Sequence, residues 1–132
     1  MASKIDAIIS DLDSELRTIT QNDQQWLSFL QTAANNYKYS FTDQVLIYAQ
    51  KPDATACADM AFWNQRMQRW ITKNAKGIAL VDTSSTHPRL HYVFDLSDTN
   101  ARSGNIVRLW QAEPQYHPAL IEALEHRFDP LR

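Results

Sequence analysis

Arg66, Arg69, Trp70, Lys73 and Lys76 all fall within the eleven residues "RMQRWITKNAK". Cations spaced this way neutralise phosphates and release their counterions. An aromatic ring among them can stack on an unpaired base, worth about 1–3 kcal/mol per base. That combination suits a single strand better than a duplex, which hides its base faces. The rest of the chain sharpens the contrast. Its 132 residues carry a net charge of −2. Residues 63–94 hold five basic side chains and one acidic, residues 1–62 four and eight, and residues 95–132 four and six. A polyanion would meet a local patch, not a uniformly basic protein. The same segment also admits a plainer reading, a chance excess of cations beside tryptophans drawn into a core. Trp63, at helical spacing with Met60 and Met67, fits a core. Trp70, beside Arg69 and ahead of an apolar run, fits either.

Other chemistry is poorly represented. Two glycines in the whole chain cannot supply a glycine-rich phosphate loop. His87 and His91 in "HPRLH" have metal-like spacing, but Pro88 and an alternating strand pattern remove the helical geometry that would bring both rings to one ion. His117 and His126 have no such partner pattern. Cys57 in "ATACAD" reads as a buried, inert thiol. Asp11 and Glu15 lie on a solvated helix face, where nothing marks an acid–base pair. The expectation is a protein without catalytic residues, cofactor or bound metal.

Several elements must position the basic segment. Ile5, Ile8, Ile9, Leu12, Leu16 and Ile19 recur at helical spacing. They predict a first amphipathic helix that packs on a neighbouring element or on a second copy through residues 1–20. Asn22, with Gln25 three residues on, predicts the N-terminus of a second helix. Its inner face would carry Trp26, Leu30, Ala33, Ala34 and Tyr37, and Asn35–Asn36 would break it. Thr42 would cap a third helix bearing Val45, Leu46 and Ala49, stopped before Pro52. Thr55 would cap a fourth, with Met60, Trp63, Met67 and Trp70 on one side.

The period then changes. "GIALVD" (77–82) is a short β-rich run, and "TSSTHP" has turn chemistry. "LHYVFDL" alternates, with Leu90, Tyr92, Phe94 and Leu96 on one face and His91, Val93 and Asp95 on the other. The two runs predict an antiparallel hairpin, and "NIVRLW" (105–110) a third strand. Pro118 suits a helix's first turn, followed by Leu120, Ile121, Leu124 and Phe128. The whole predicts an α+β fold: a helical N-terminal half packed on a small antiparallel sheet, then a C-terminal helix. A length of 132 residues fits one domain. The acidic amphipathic start is not a signal peptide, and no run approaches the roughly 18 apolar residues of a membrane span. One cysteine excludes an internal disulfide framework and agrees with a reducing, cytoplasmic setting.

From Trp26 to Asp82 the chain resembles the N-terminal domain of the ArdC antirestriction proteins. That pattern has a tryptophan-led helix, a "Y-x-Y-S-F-x-N-Q" stretch, a helix ending in "Q-x-P-x-A-T", a tryptophan, and a basic "K-G-x-K-G" turn into a strand. The matching residues are Trp26, Tyr37, Tyr39, Ser40, Phe41, Gln44, Gln50, Pro52, Ala54, Thr55, Trp63, Lys73, Lys76 and Gly77. The chain is similar, more closely still, to a variant that opens large proteins of integrative and conjugative elements, where "YAQ-x-P-D-A-T-A-C-A", "RW", "GIALVD" and "YVFD-x-S-D-T" recur. The resemblance spans about residues 24–100, with residues 1–22 as a leading helix outside it. It implies binding of single-stranded DNA in mobile-element biology. The peptidase-like zinc motif that usually follows the ArdC domain is absent from this sequence. Helicase or methyltransferase regions follow in the element-encoded relatives, so this chain is expected to be a fragment or a stand-alone domain. Asp43 stands where the family pattern has asparagine, and Asn74 where the basic turn has its first glycine.

Together these readings predict a non-enzymatic, cytoplasmic module for single-stranded DNA, with no membrane partner and with further domains of a parent protein as possible neighbours. Lys38, Arg66, Arg69, Lys73 and Lys76 would contact phosphates. Tyr39 and Trp70 would offer stacking faces. Gln44 would bond a base or cap local backbone. The alternative is a scaffolding or dimerisation domain of a larger mobile-element enzyme, favoured by the acidic flanks.

Overall fold

A computed structural model describes residues 3–84, 86–101 and 114–128. Helix α1 spans Lys4–Ile19. Ser3 and Asp6 close its start reciprocally: the Asp6 N–H donates to Ser3 Oγ at 3.2 Å and the Ser3 N–H to Asp6 Oδ2 at 3.1 Å. The predicted stripe packs within the chain, chiefly on α3 (Phe41–Gln50) and also on α2 (Asp23–Asn35). Ile19 is fully buried, Ile8, Leu12 and Leu16 lean on the core, and Ile9 stays about half exposed.

Asn22 caps α2 as expected, accepting from the Gln25 N–H at 2.9 Å. The helix's inner face differs from the expected one. Phe29, Thr32 and Ala33 are buried, whereas Trp26, Leu30, Ala34 and Tyr37 are exposed. Among the described residues, helix α2 is covered chiefly along the stripe that meets α3 and α1, too narrow to shield every large side chain on it. The cap of α3 is Ser40, two residues before the expected Thr42. Ser40 holds the extended backbone a cap needs and accepts from the Asp43 N–H. Val45, Leu46, Ile47 and Tyr48 are buried in succession, because α3 lies between two clusters. Leu46 and Ile47 join Ala54, Ile78, Leu80 and Val93; Val45 and Tyr48 join Ile19, Phe29 and Ala33.

The expected fourth helix from Thr55 is replaced by a strand and a shorter helix. Cys57–Ala58 form β1, and α4 runs only over Met60–Gln65, capped by Asp59. Trp63 is buried as expected and its indole N–H donates to the Phe94 carbonyl at 2.8 Å; Met60 is exposed. Gln68, at φ 51°, then turns the chain into β2, Arg69–Ile71, so Arg66, Arg69 and Trp70 do not share a helix face. The predicted hairpin is present as β3 (Ile78–Asp82) and β4 (Arg89–Asp95), with Ile78 opposite Val93 and Asp82 opposite Arg89. Among the described residues, β1, β4 and β3 form one antiparallel sheet in that order, and β2 pairs separately with β5, Thr99–Ala101. Helix α5, His117–Phe128, occupies the predicted C-terminal position. The strand expected at 105–110 lies outside the described residues. The architecture is α+β, as the change of period implies.

The sheet face toward α3 is the one carrying Val93 and Asp95, not the alternating apolar set. Asp95 is fully buried at the end of β4. One carboxylate oxygen accepts from the N–H groups of Thr55 (2.7 Å) and Ala56 (2.8 Å). The other accepts from the Ser97 N–H (3.1 Å) and hydroxyl (2.6 Å). These bonds hold the loop before β1 in the extended form that displaces a helix start at Thr55. Burial pushes the Asp95 carboxyl up, but the hydrogen bonds from Ser97, Ala56 and Thr55 outweigh it and hold it below its ordinary value of 3.8.

Asp95→Ala is therefore expected to destabilise the fold by about 3 kcal/mol or more, since it strands buried N–H donors. The unfolded chain takes up this proton near its ordinary value and the fold only at lower pH. The stabilisation is thus complete above about pH 4 and lost as pH falls through the folded value. The gap in stability between wild type and Asp95→Asn, read by urea unfolding across pH 2–6 (roughly the carboxylate range), should narrow toward acid. A gap independent of pH would contradict this role. Deleting residues 1–20 should unfold or strongly destabilise the domain, because Ile19 and its stripe fill both clusters; an unchanged melting temperature would show α1 to be dispensable.

Candidate nucleic-acid interface

Strand β2 leads into the basic turn. The Thr72 N–H donates to the Asp98 carbonyl at 2.9 Å, and the Ala75 N–H closes on the Thr72 carbonyl at 3.1 Å. Lys73 and Asn74 form the tip, and Lys73 and Lys76 are exposed. Gly77 follows because the chain passes close under β4: an added Cβ would stand 3.1 Å from Tyr92 Cδ1. The second glycine of the basic turn thus sits in a tight approach to the Tyr92 ring, while Asn74 occupies an ordinary exposed tip.

Trp70 is 43% exposed on β2, opposite Asn100. Adjacent strand residues point to opposite faces. Arg69 accordingly turns toward β5, donating to Thr99 Oγ1 at 2.7 Å and to the Thr99 carbonyl at 3.0 Å. Its guanidinium supports the β2–β5 ribbon. Arg66 ends α4 and is exposed. A cleft of about 540 Å³ lies beside the turn, where Lys76 and Asn74 meet Gln50, Lys51 and Asp98. Lys51 was not singled out by sequence, because it sits alone after α3, remote from the basic run. Its Nζ lies 3.7 Å from Asp53. Asp98 and the carbonyl end of α3 oppose the lysines in this cleft.

The remaining candidates lie elsewhere. Lys38 is exposed before the N-terminus of α3, whereas Lys76 meets the other end of that ten-residue helix. The two are separated by roughly the 15 Å length of the helix. Tyr39 is half-buried, and its hydroxyl donates to the Cys57 carbonyl at 2.9 Å. Burial, then the charges of Cys57, Asp59 and Asp43, pushes its phenol far up. A ring held this way does not match the stacking role expected of Tyr39. Gln44 takes the backbone alternative, donating to the carbonyls of Ala33 (3.3 Å) and Asn36 (3.2 Å). Burial first, and then the Asp95 charge, pushes the Cys57 thiol up to about 12, which leaves it unreactive at neutral pH.

The exposed rings of the helical half are Tyr37 (63%) and Phe41 (51%), with Trp26 nearby. Phe29 lies between two of them, 5.5 Å from Trp26 and 5.7 Å edge-on to Phe41. Sequence spacing missed this patch by assigning Trp26 and Tyr37 to the core. The better signal was the run Phe29, Thr32, Ala33, Asn36, which fits a buried face at three- and four-residue steps. Among the described residues, no group of three or more His, Cys, Asp or Glu side chains is placed to hold a metal ion. No helix there is long and apolar enough to cross a membrane.

Comparison with protein-family models, curated proteins and solved structures found no match to this chain.

Tyr39→Phe and Gln44→Ala should each lower stability by about 1–2 kcal/mol, from lost or stranded hydrogen bonds. Neither should alter affinity for a single-stranded oligonucleotide. Denaturant unfolding and an anisotropy titration separate the two effects. A large loss of affinity in a stable Tyr39→Phe protein would return Tyr39 to the interface.

Proposed function

We propose that this chain is a non-enzymatic module that binds single-stranded DNA, acting in the cytoplasm within a conjugation or antirestriction protein of a mobile element. The observation that carries the reading is local: the exposed Trp70 runs directly into a turn that presents Lys73 and Lys76. A base can stack on the indole while the following phosphates meet the lysines. Lys51 adds a further cation across the cleft. The ordered likeness to the ArdC N-terminal pattern supports the same reading and supplies the mobile-element setting. Arg66 extends the path upstream of β2. Arg69 contributes through the ribbon it holds, and Lys38 lies too far off to share one short contact.

A second reading is favoured by the patch of Trp26, Leu27, Leu30, Tyr37 and Phe41, all exposed on the helical half. Exposed apolar side chains on one part of a fold suit docking to another domain of a larger protein. Under that reading the cations are solvated surface, and no DNA binding is expected.

A labelled oligothymidylate titrated at two salt concentrations decides between them. Binding that weakens with salt supports the DNA module. Replacing Lys73 and Lys76 with alanine should weaken it at low salt and flatten the slope of log affinity against log salt by up to about 1.4, since each phosphate contact on a single strand carries about 0.7. Trp70→Ala should weaken binding by about 1–3 kcal/mol at any salt. No binding by the wild-type protein would leave the docking reading. An unchanged slope in a folded double mutant would remove the turn from the interface.

A further inference from the structure

A groove lies away from the basic turn, between α1, the start of α3, and the β3–β4 hairpin. Its volume is about 660 Å³, within the usual range for small-molecule sites. The floor is aliphatic, formed by Ile8, Ile9, Leu12, Leu46 and Leu80. Ile9 is 48% exposed there, an unusual position for a large aliphatic side chain on a helix whose stripe is otherwise packed. Burying such a surface is favourable. The polar rim is acidic: Asp43 and Asp82, with His91 beside them and the hydroxyls of Ser40, Thr42 and Ser84 between. Among the described residues, no lysine or arginine lines the groove. Arg89 stands opposite Asp82 in the β3–β4 ladder, close enough for its charge to act on that carboxylate, and Lys4 donates to Tyr92 Oη at 2.7 Å. Asp43 is partly desolvated, so a cation entering the groove meets a carboxylate less screened by water. Phosphate would be repelled by the same two carboxylates, which separates this groove from the lysines of the turn.

We propose that the groove binds a small organic cation, a protonated amine carried on an aliphatic body. The hydrocarbon covers Ile9, Leu12 and Leu80, and the ammonium sits between Asp43 and Asp82 with the rim hydroxyls accepting hydrogen bonds from its remaining N–H groups. The size of the groove and its single acidic end set this class. An anion is excluded by charge, and a neutral alcohol gains the floor but not the rim.

The test titrates the isotope-labelled full chain with n-hexylammonium, n-hexanol and n-hexanoate and follows methyl and amide shifts. Hexylammonium should move the resonances of Ile8, Ile9, Leu12, Leu46 and Leu80, and bind at least about tenfold more tightly than hexanoate. Asp43→Asn combined with Asp82→Asn should abolish the preference for the amine while leaving the weak hexanol shifts. Oligothymidylate should not displace the amine, so the result stands or falls independently of DNA binding. If the double variant does not fold, Ile9→Lys serves instead: it places a cation in the groove from an exposed position and should block hexylammonium alone. Equal binding of hexanoate, shifts confined to other surfaces, or no saturable shifts would each overturn the proposal.

Discussion

The buried carboxylate of Asp95 is the constraint on which the two halves of the molecule depend. A charge removed from water is tolerated only when hydrogen bonds replace its hydration. Here backbone donors from Thr55 and Ala56 come from the chain leaving the helices, and Ser97 comes from the turn leaving β4. Satisfying one side chain thus determines where β1 begins, where β4 ends and how the chain departs toward β5. The Leu96 N–H, donating to the Ala56 carbonyl at 2.9 Å, ties the same two segments a second time. Trp63 reaches the adjacent Phe94 carbonyl, so α4 is hung from the same end of β4.

A related economy closes the sheet edges. An edge strand leaves N–H and C=O groups without ladder partners, and buried ones must be satisfied. On β1, the Cys57 N–H donates to Asn36 Oδ1 at 2.9 Å and its carbonyl accepts the Tyr39 hydroxyl. On β3, Gln50 pairs with Ala79 through both amide atoms, each bond 2.8 Å. The Asn36 side chain also returns to the Thr32 carbonyl, and Gln44 caps the end of α2. Polar residues of the tyrosine- and glutamine-bearing motif therefore serve as the joint between helices and sheet. Their regular order along the chain reflects the geometry of that joint. It carries no direct information about a ligand.

With those residues committed inward, the outer surface divides by chemistry. Cations gather on the turn between β2 and β3, exposed rings on the α2–α3 side, and carboxylates around the aliphatic groove by α1. Each region is built on a different set of elements, so a polyanion, an apolar partner and a small cation would meet different faces. The path proposed for a DNA strand is short, since Lys38 and the basic turn lie at opposite ends of α3.

What the sequence by itself determined is periodic or local. The stripe of α1, the cap at Asn22, the hairpin of β3 and β4, the burial of Trp63 and the exposed basic turn all follow from spacing and side-chain chemistry within a few residues. Only the tertiary structure decided which polar side chains face inward. Thr55 looks like a cap until Asp95, forty residues away in sequence, takes its N–H. Tyr39 and Tyr37 are equivalent by type, and the carbonyl of Cys57 selects which one turns in. Arg69 and Lys73 are both cations, yet Thr99 on the neighbouring strand claims only the first. These choices rest on hydrogen bonds between residues distant in sequence, whose partners exist only once the sheet has formed. A buried polar group must find a partner wherever the fold brings one.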